Sequence, residues 1–212
     1  MPQKHSFDLG YKAAQTLYYA IGEQATRIGM PLNTSVTINF SSTDISPAKA
    51  VGVLQKILQG RFRGWATRPR KGAGPAFKPT WAYVFENRRD DQVFLEIGEG
   101  TPHNIHCHVL FHIPRTRRHD FERMMWEWLD SFCVSPCDAS AIKIKTVMWV
   151  EATNRSYFLK GTAHRHAPGF GVSYKPQGVI LGRRSNTSHN LGPAARKALD
   201  RLSGIRRKRK AA

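Results

Sequence analysis

The clearest strand in the sequence is Ile105-His-Cys-His-Val-Leu-Phe-His-Ile113. Apolar side chains occupy every second position, namely Ile105, Cys107, Val109, Phe111 and Ile113. The positions between them carry His106, His108, Leu110 and His112. Because successive side chains of a strand point to opposite faces, one face is predicted to lie on a hydrophobic core. The other face is predicted to present imidazoles and to be a candidate site.

Further strands are predicted on both sides of this segment, at residues 34–40, 81–86 and 142–150, with a shorter one at 93–97. Helices are predicted at residues 8–28, 47–60 and 121–132, and a weaker one at 193–202. The basic stretch 61–79 is rich in Gly and Pro, and we expect a loop that buries little surface. Strands separated by single helices predict an α+β fold, in which a central antiparallel sheet has helices packed on one face.

The composition predicts one compact domain and a polyanionic partner. The chain has 212 residues, 41% of them hydrophobic, which is enough for one sizeable core. We expect a domain at residues 1–175 that includes the N-terminal helix, and a basic C-terminal extension at 176–212. Lys and Arg number 33 against 15 Asp and Glu, a formal net charge of +18. Nucleic acid compensates such a charge best, because each phosphate contact releases condensed counterions.

The sequence predicts a soluble, cytoplasmic protein without a membrane partner. No apolar run approaches the roughly 20 residues that cross a bilayer, and no strongly amphipathic basic helix stands out. The N-terminus Met-Pro-Gln-Lys-His-Ser lacks the apolar core of a secretory signal. Three cysteines are too few for a disulfide framework. Cys133 and Cys137 are candidate zinc ligands, but no second compact pair follows at finger-like spacing.

His106 and His108 lie on one face of the strand, close enough to share a metal ion. The pattern alone is a weak signal, since His164-Arg-His166 is a second instance. Glu86 comes from a strand expected to pair nearby, and Glu96 and Glu99 are alternative carboxylates. Two imidazoles and one carboxylate leave positions open for phosphate or water. The competing interpretation is a set of packed histidines with Glu86 at a solvent-exposed strand end.

Tyr157-Phe-Leu-Lys160 follows the last predicted strand, and its spacing places Tyr157 and Lys160 on one side of a helical turn. A phenol beside a cation ionises more easily. Such a phenolate can attack a phosphodiester and form a covalent phosphotyrosine. The alternative is a tyrosine with a hydrogen-bonded hydroxyl beside a surface lysine.

Three motifs in this order resemble those of HUH-superfamily rolling-circle replication initiators: Val36-Thr-Ile-Asn-Phe40, His106-Cys-His108 and Tyr157-Phe-Leu-Lys160. The match covers residues 33–162. The resemblance implies that His106, His108 and Glu86 bind Mn²⁺ or Mg²⁺. It also implies that Tyr157 is the single nucleophile, forming a 5′-phosphotyrosine bond, with Lys160 as its electrostatic partner. Cys107 departs from the family, where a bulkier hydrophobe is usual, and residues 88–101 form a longer stretch than is typical.

Nucleic-acid contacts are predicted in the C-terminal part, at Arg183, Arg184, Arg206, Arg207, Lys208, Arg209 and Lys210. The surrounding segment, residues 176–196, also resembles replication-protein reading frames of bacterial mobile elements. Phosphate contacts of this kind position a strand without reading its sequence. Tyr174 lies too far along the chain to be a second nucleophile.

The main hypothesis is a metal-dependent endonuclease that nicks and joins single-stranded DNA at an origin or hairpin and initiates rolling-circle replication. Relaxases and transposases share this chemistry. The alternative is a non-catalytic RNA- or single-stranded-DNA-binding protein, in which the histidines and Tyr157 pack or stack on bases. Dependence on a divalent metal distinguishes the two. The sequence assigns neither the recognised DNA sequence nor an oligomeric state.

Overall fold

The computed structural model describes residues 5–69, 74–98, 101–147 and 153–205. Its strands and helices, in chain order, are β1 (His5–Ser6), α1 (Tyr11–Tyr19), α2 (Ala25–Arg27), β2 (Thr34–Asn39), α3 (Pro47–Lys56), α4 (Arg63–Ala66), β3 (Trp81–Arg89), β4 (Gln92–Val93), β5 (Ile105–Phe111), α5 (Arg118–Asp130), β6 (Ile142–Thr146), α6 (Thr153–Leu159), β7 (Ile180–Leu181), β8 (Ser185–Thr187) and α7 (Pro193–Leu202). Turns of π-helix at Ala20–Gln24 and Ile57–Phe62 join α1 to α2 and α3 to α4.

An antiparallel sheet forms the centre of the fold, with the strand order β4-β3-β5-β2-β6, and β8 also pairs with β3. The alternating strand β5 lies between β3 and β2. Its register sets His106 opposite Glu86 of β3, and His108 opposite Thr37 of β2. The predicted α+β class with a central antiparallel sheet is confirmed. Of the predicted strand at 142–150, the structure shows residues 142–146, and residues 148–150 lie outside the described ranges.

The apolar face of β5 lies on the larger of two hydrophobic clusters, as the alternation predicts. Cys107, Val109 and Phe111 are fully buried there. Leu54 of α3 and Phe121 of α5 belong to the same cluster, so these two helices cover this face of the sheet.

The opposite face of the sheet is partly covered as well, which the sequence analysis did not anticipate. Val84 and Leu110 share a second hydrophobic cluster with Leu17 of α1 and with Phe158 and Leu159 of α6. Apolar side chains at this end of the face gain burial only if helices cover them. The polar remainder of the face carries the two histidines, which therefore lie at the border of the second cluster.

The segment that begins at Arg61 was predicted to be a loop, but its first residues are helical. Helical structure continues through this point to Ala66, and Phe62 and Trp65 are buried. The prediction that residues 61–79 bury little is therefore wrong for its first part. Gly60 and Gly64 argue against helix by propensity, but packing overrides that weak preference, with the Phe62 and Phe111 rings 4.9 Å apart.

The N-terminal helix begins at Tyr11 instead of residue 8. The residues before it extend along β7, where His5 and Ser6 pair with Leu181 and Ile180. In the predicted strand at 93–97, only Val93 is extended and paired, as part of β4. None of the helices in the described parts of the chain is long and apolar enough to span a membrane.

The C-terminal part of the chain packs into the same fold. Strand β8 pairs with β3, so residues beyond 175 contribute to the central sheet. The boundary between residues 175 and 176 stays a prediction. Arg184 is 3% exposed, and its guanidinium donates to the carbonyl oxygens of Phe85 at 2.9 Å, Ser6 at 2.7 Å and Gly178. The predicted nucleic-acid contact of Arg184 is therefore wrong, because the guanidinium is buried and both of its Nη atoms donate to carbonyls inside the protein. Arg183 is exposed and stays a predicted contact. The predicted contacts from Arg206 to Lys210 lie outside the described residues.

Replacing Arg184 with Met should destabilise the fold, because it leaves buried carbonyl groups without donors. We expect the free energy of unfolding, measured by urea denaturation, to fall by about 1–3 kcal/mol. Arg183→Met is the matched control, and its exposed site should keep the change within about 0.5 kcal/mol. Equal effects of the two substitutions would show that Arg184 does not hold the C-terminal part on β3.

Candidate metal centre

Three ligating side chains meet on the polar face of the sheet: Glu86, His106 and His108. One ligand atom from each lies within 4.8 Å of the others, so the group could hold a metal ion. The register explains the meeting, since Glu86 stands directly opposite His106 across the β3–β5 pair and His108 follows on the same face. No other group of three or more such ligands occurs among the described residues.

The structure thus brings together the three predicted metal ligands and selects Glu86 as the carboxylate. Glu96 is described and is not part of the group, whereas Glu99 lies outside the described residues. His164 and His166 also belong to no such group in the described chain.

Positive and hydrogen-bonding groups surround the carboxylate of Glu86, whose side chain is 3% exposed. Oε2 lies 3.2 Å from His106 Nε2 and 2.9 Å from Lys160 Nζ. Burial by itself raises the pKa of Glu86, but His106, His108 and the charge of Lys160 outweigh burial and hold the pKa well below its ordinary value. The carboxylate is therefore charged at neutral pH.

A second partner orients each imidazole. His106 Nδ1 lies 2.8 Å from the carbonyl oxygen of Asn104. A carbonyl only accepts, so Nδ1 is the donor of this hydrogen bond, and Nε2 is left facing Glu86. His108 Nδ1 lies 3.1 Å from Thr37 Oγ1. Partners of this kind fix metal-binding histidines in the tautomer that ligation needs.

The chemistry of the donor set fits a divalent cation. Oε1 of Glu86 is buried, lies 3.7 Å from His108 Nε2 and accepts no hydrogen bond. A buried carboxylate oxygen without a partner is costly, and a cation at this point would remove that cost. Burial lowers the pKa of His108, and Glu86 offsets this effect only in part, so the neutral form that ligates metals prevails at neutral pH.

Helix α6 and the residue after it place Tyr157 and Lys160 against this group. The Tyr157 hydroxyl lies 2.9 Å from His108 Nε2, and the residue is 40% exposed. Lys160 Nζ lies 3.7 Å from the centre of the Tyr157 ring. Both predicted catalytic side chains therefore stand next to the predicted metal ligands, and they share one side of the helical turn.

The electrostatics of Tyr157 differ from the expectation. Burial raises its pKa, and the charge of Glu86 raises it further. Lys160 does not make the phenol easier to ionise, because its ammonium group pairs with Glu86 and faces the ring instead of the hydroxyl. The nearest proton acceptor is His108 Nε2. A nitrogen that accepts this proton cannot ligate a metal at the same moment, so these two uses of His108 exclude each other.

Further polar residues, which the sequence motifs did not predict, lie around the group. Thr37 and Asn104 orient the histidines, and Lys143 lies opposite Thr37 on β6, where it is exposed together with Lys145. A signal was present, because Thr37 alternates with the apolar residues of β2 and so had to face the histidine side. These lysines extend positive charge along the face from His108.

Comparisons with known proteins found no match among family models, curated proteins or solved structures. The resemblance to HUH enzymes therefore rests on the three sequence motifs.

Glu86 should make a stabilising contribution that depends on pH. A glutamate with a lowered pKa stabilises the fold fully above its unfolded pKa of about 4.3 and loses this effect as the pH falls towards the folded value. In EDTA at neutral pH, we expect Glu86→Gln to unfold at a lower urea concentration than the wild type. Its free energy of unfolding should be smaller by about 1–3 kcal/mol. The difference should shrink steadily below pH of about 4. A difference that stays constant down to strongly acidic pH would contradict the assigned charge of Glu86.

Proposed function

We propose that the protein cuts and rejoins single-stranded DNA through a covalent bond between Tyr157 and a 5′ phosphate, with Mn²⁺ or Mg²⁺ at Glu86, His106 and His108. The observation that carries the proposal is the 2.9 Å distance between the Tyr157 hydroxyl and His108, a member of the only group of metal ligands among the described residues. A nucleophile and a site for a Lewis acid are thus adjacent.

Tyr157 has the position and exposure that a nucleophile needs. Its oxygen would bond to phosphorus while the bond from phosphorus to the 3′ oxygen breaks, leaving a 5′-phosphotyrosine and a free 3′ hydroxyl. Attack by that hydroxyl on the phosphotyrosine reverses the step and rejoins a strand. With His108 Nε2 bound to the metal, the phenolic proton would leave to solvent, which reaches the 40% exposed side chain of Tyr157.

The ligand group would supply the charge compensation that this step requires. A divalent cation held there polarises the scissile phosphate and offsets its negative charge when bound. Glu86 and His106 are held for this role by the β3–β5 pairing and by Asn104. Lys160 keeps a positive charge beside Glu86 and covers one face of the Tyr157 ring, so we assign it a positioning role.

A polyanionic strand suits the surface around the site. The net charge is +18, and exposed Lys143 and Lys145 of β6 lie on the histidine face of the sheet. Contacts from such lysines to phosphates give affinity without sequence preference. Initiation of rolling-circle replication in the cytoplasm is the role that the resemblance to HUH proteins adds to this proposal.

A non-catalytic nucleic-acid-binding protein is the second candidate. The raised pKa of Tyr157 and the contact of its hydroxyl with His108 favour this alternative, because both describe a stable, un-ionised phenol. Under this alternative, nucleic-acid binding would not depend on a divalent metal, and no covalent product would form.

Tyr157→Phe should abolish covalent capture of DNA while leaving binding intact, because it removes one oxygen and little else. Labelled single-stranded DNA is incubated with protein and Mn²⁺, and covalent complexes are separated on a denaturing gel. We expect the variant to give less than about 1% of the wild-type product. His106→Ala should also impair capture, and Lys160→Ala should do so less completely.

Tyr174→Phe is the matched control, because that hydroxyl contacts Asp8 and not the ligand group. It should react like the wild type. Cleavage retained in Tyr157→Phe would mean another nucleophile or direct hydrolysis by water. Metal-independent binding by the wild type without any covalent product would favour the non-catalytic alternative.

A further inference from the structure

Two cysteines meet just beyond the C-terminal end of α5, away from the ligand group. The sulfur atoms of Cys133 and Cys137 are 2.9 Å apart, and both thiols are free and partly exposed. A disulfide bond is about 2.05 Å long, so a displacement of less than about 1 Å would join the two sulfurs. We propose that Cys133 and Cys137 are a thiol-oxidation site that forms a reversible intramolecular disulfide.

Two hydrogen bonds to Asp130 hold the turn in which the sulfurs meet. Asp130, the last residue of α5, accepts a hydrogen bond from Cys133 N through its carbonyl oxygen, at 3.0 Å. Its side-chain Oδ1 accepts one from Cys137 N, also at 3.0 Å. One residue therefore fixes both ends of the turn and keeps the two sulfurs close together.

A metal is the other ligand class that two cysteines suggest, and the surroundings argue against it. The two thiols belong to no group of three or more candidate metal ligands among the described residues. The neighbouring carboxylates are engaged with backbone amides: Asp44 Oδ2 accepts hydrogen bonds from Val134 N at 2.7 Å and Ser135 N at 3.0 Å, and Asp130 Oδ1 accepts one from Cys137 N. The structure therefore offers a pair of thiols without a third ligand.

Formation of the disulfide requires an oxidant, and we propose a low-molecular-weight disulfide in this role. One protein thiolate attacks it, releasing one small thiol and leaving a mixed disulfide. The second protein thiolate then attacks the protein sulfur of that bond and releases the second small thiol. Two protein thiols thus become one disulfide, and their two electrons reduce the oxidant to two thiols. Burial raises the pKa of Cys133 and of Cys137, so the reaction should be slow at neutral pH and faster in alkaline solution.

The bond would tighten a turn that anchors the segment between β2 and α3. Val134 and Ser135 donate to Asp44 in that segment, and Ser140 Oγ donates to Ser42 Oγ at 2.8 Å. Oxidation should therefore protect the amides of Val134 and Ser135 from hydrogen exchange, because opening of the turn becomes rarer.

The test uses the full chain, freed of reductant in the presence of EDTA and incubated with oxidised glutathione at alkaline pH. We expect the thiols titrated in denaturant to fall from three to a single thiol, Cys107, and peptide mapping to find Cys133 joined to Cys137. Dithiothreitol should restore all three thiols, and exchange of the Val134 and Ser135 amides should be slower in the oxidised protein.

Single variants separate the paired thiols from the buried one. Cys133→Ser and Cys137→Ser should each stop at a glutathione adduct on the remaining partner, whereas Cys107→Ala should still form the bond. Three thiols persisting after prolonged incubation, or stable glutathione on both cysteines of the wild type, would overturn the proposal. Unchanged exchange of the two amides after oxidation would overturn the link to Asp44.

Discussion

The register between β3 and β5 is the constraint on which the candidate centre depends. It sets Glu86 opposite His106 and leaves His108 on the same face. A slip by one residue would turn the histidines towards the core and break the group. Burial of Cys107 and Phe111 opposite Phe85 and Trp81 on the other face prevents this slip, because the apolar and polar sets of β5 cannot exchange without exposing one and burying the other.

The short helix α6 contributes both to the second hydrophobic cluster and to the polar group around Glu86. Phe158 and Leu159 anchor α6 in the second hydrophobic cluster, while Tyr157 and Lys160 face the ligand group. Glu86 then draws Lys160 to 2.9 Å and keeps it over the Tyr157 ring. The charge of Glu86 thus has opposite effects, since it orders the side chains of the centre and also raises the pKa of the phenol that the proposed reaction must ionise.

The alternation of apolar residues and the spacing of motifs are local signals, and they predicted the local features of the fold and the site. They predicted the central strands, the two histidines on one face and the common side of Tyr157 and Lys160. They did not predict the second layer of helices, because it forms only when distant segments cover Val84 and Leu110. Arg184 was misjudged for the same reason, since a basic residue in a basic segment gives no sign that carbonyls from three other segments will bury it. Gly178, which supplies one of these carbonyls, itself lies close to β3: its φ is +71°, and a Cβ atom there would lie 2.0 Å from the Asn87 carbonyl oxygen.

Glu86, His106 and His108 are proposed to form a metal centre beside Tyr157. Anomalous diffraction from crystals soaked in Mn²⁺ tests it most directly, because it locates the ion independently of activity. We expect one strong peak next to the Tyr157 hydroxyl, within about 2.0–2.3 Å of both histidine Nε2 atoms and a Glu86 oxygen. No peak at this group, with Glu86 still paired to Lys160 at saturating Mn²⁺, would contradict it.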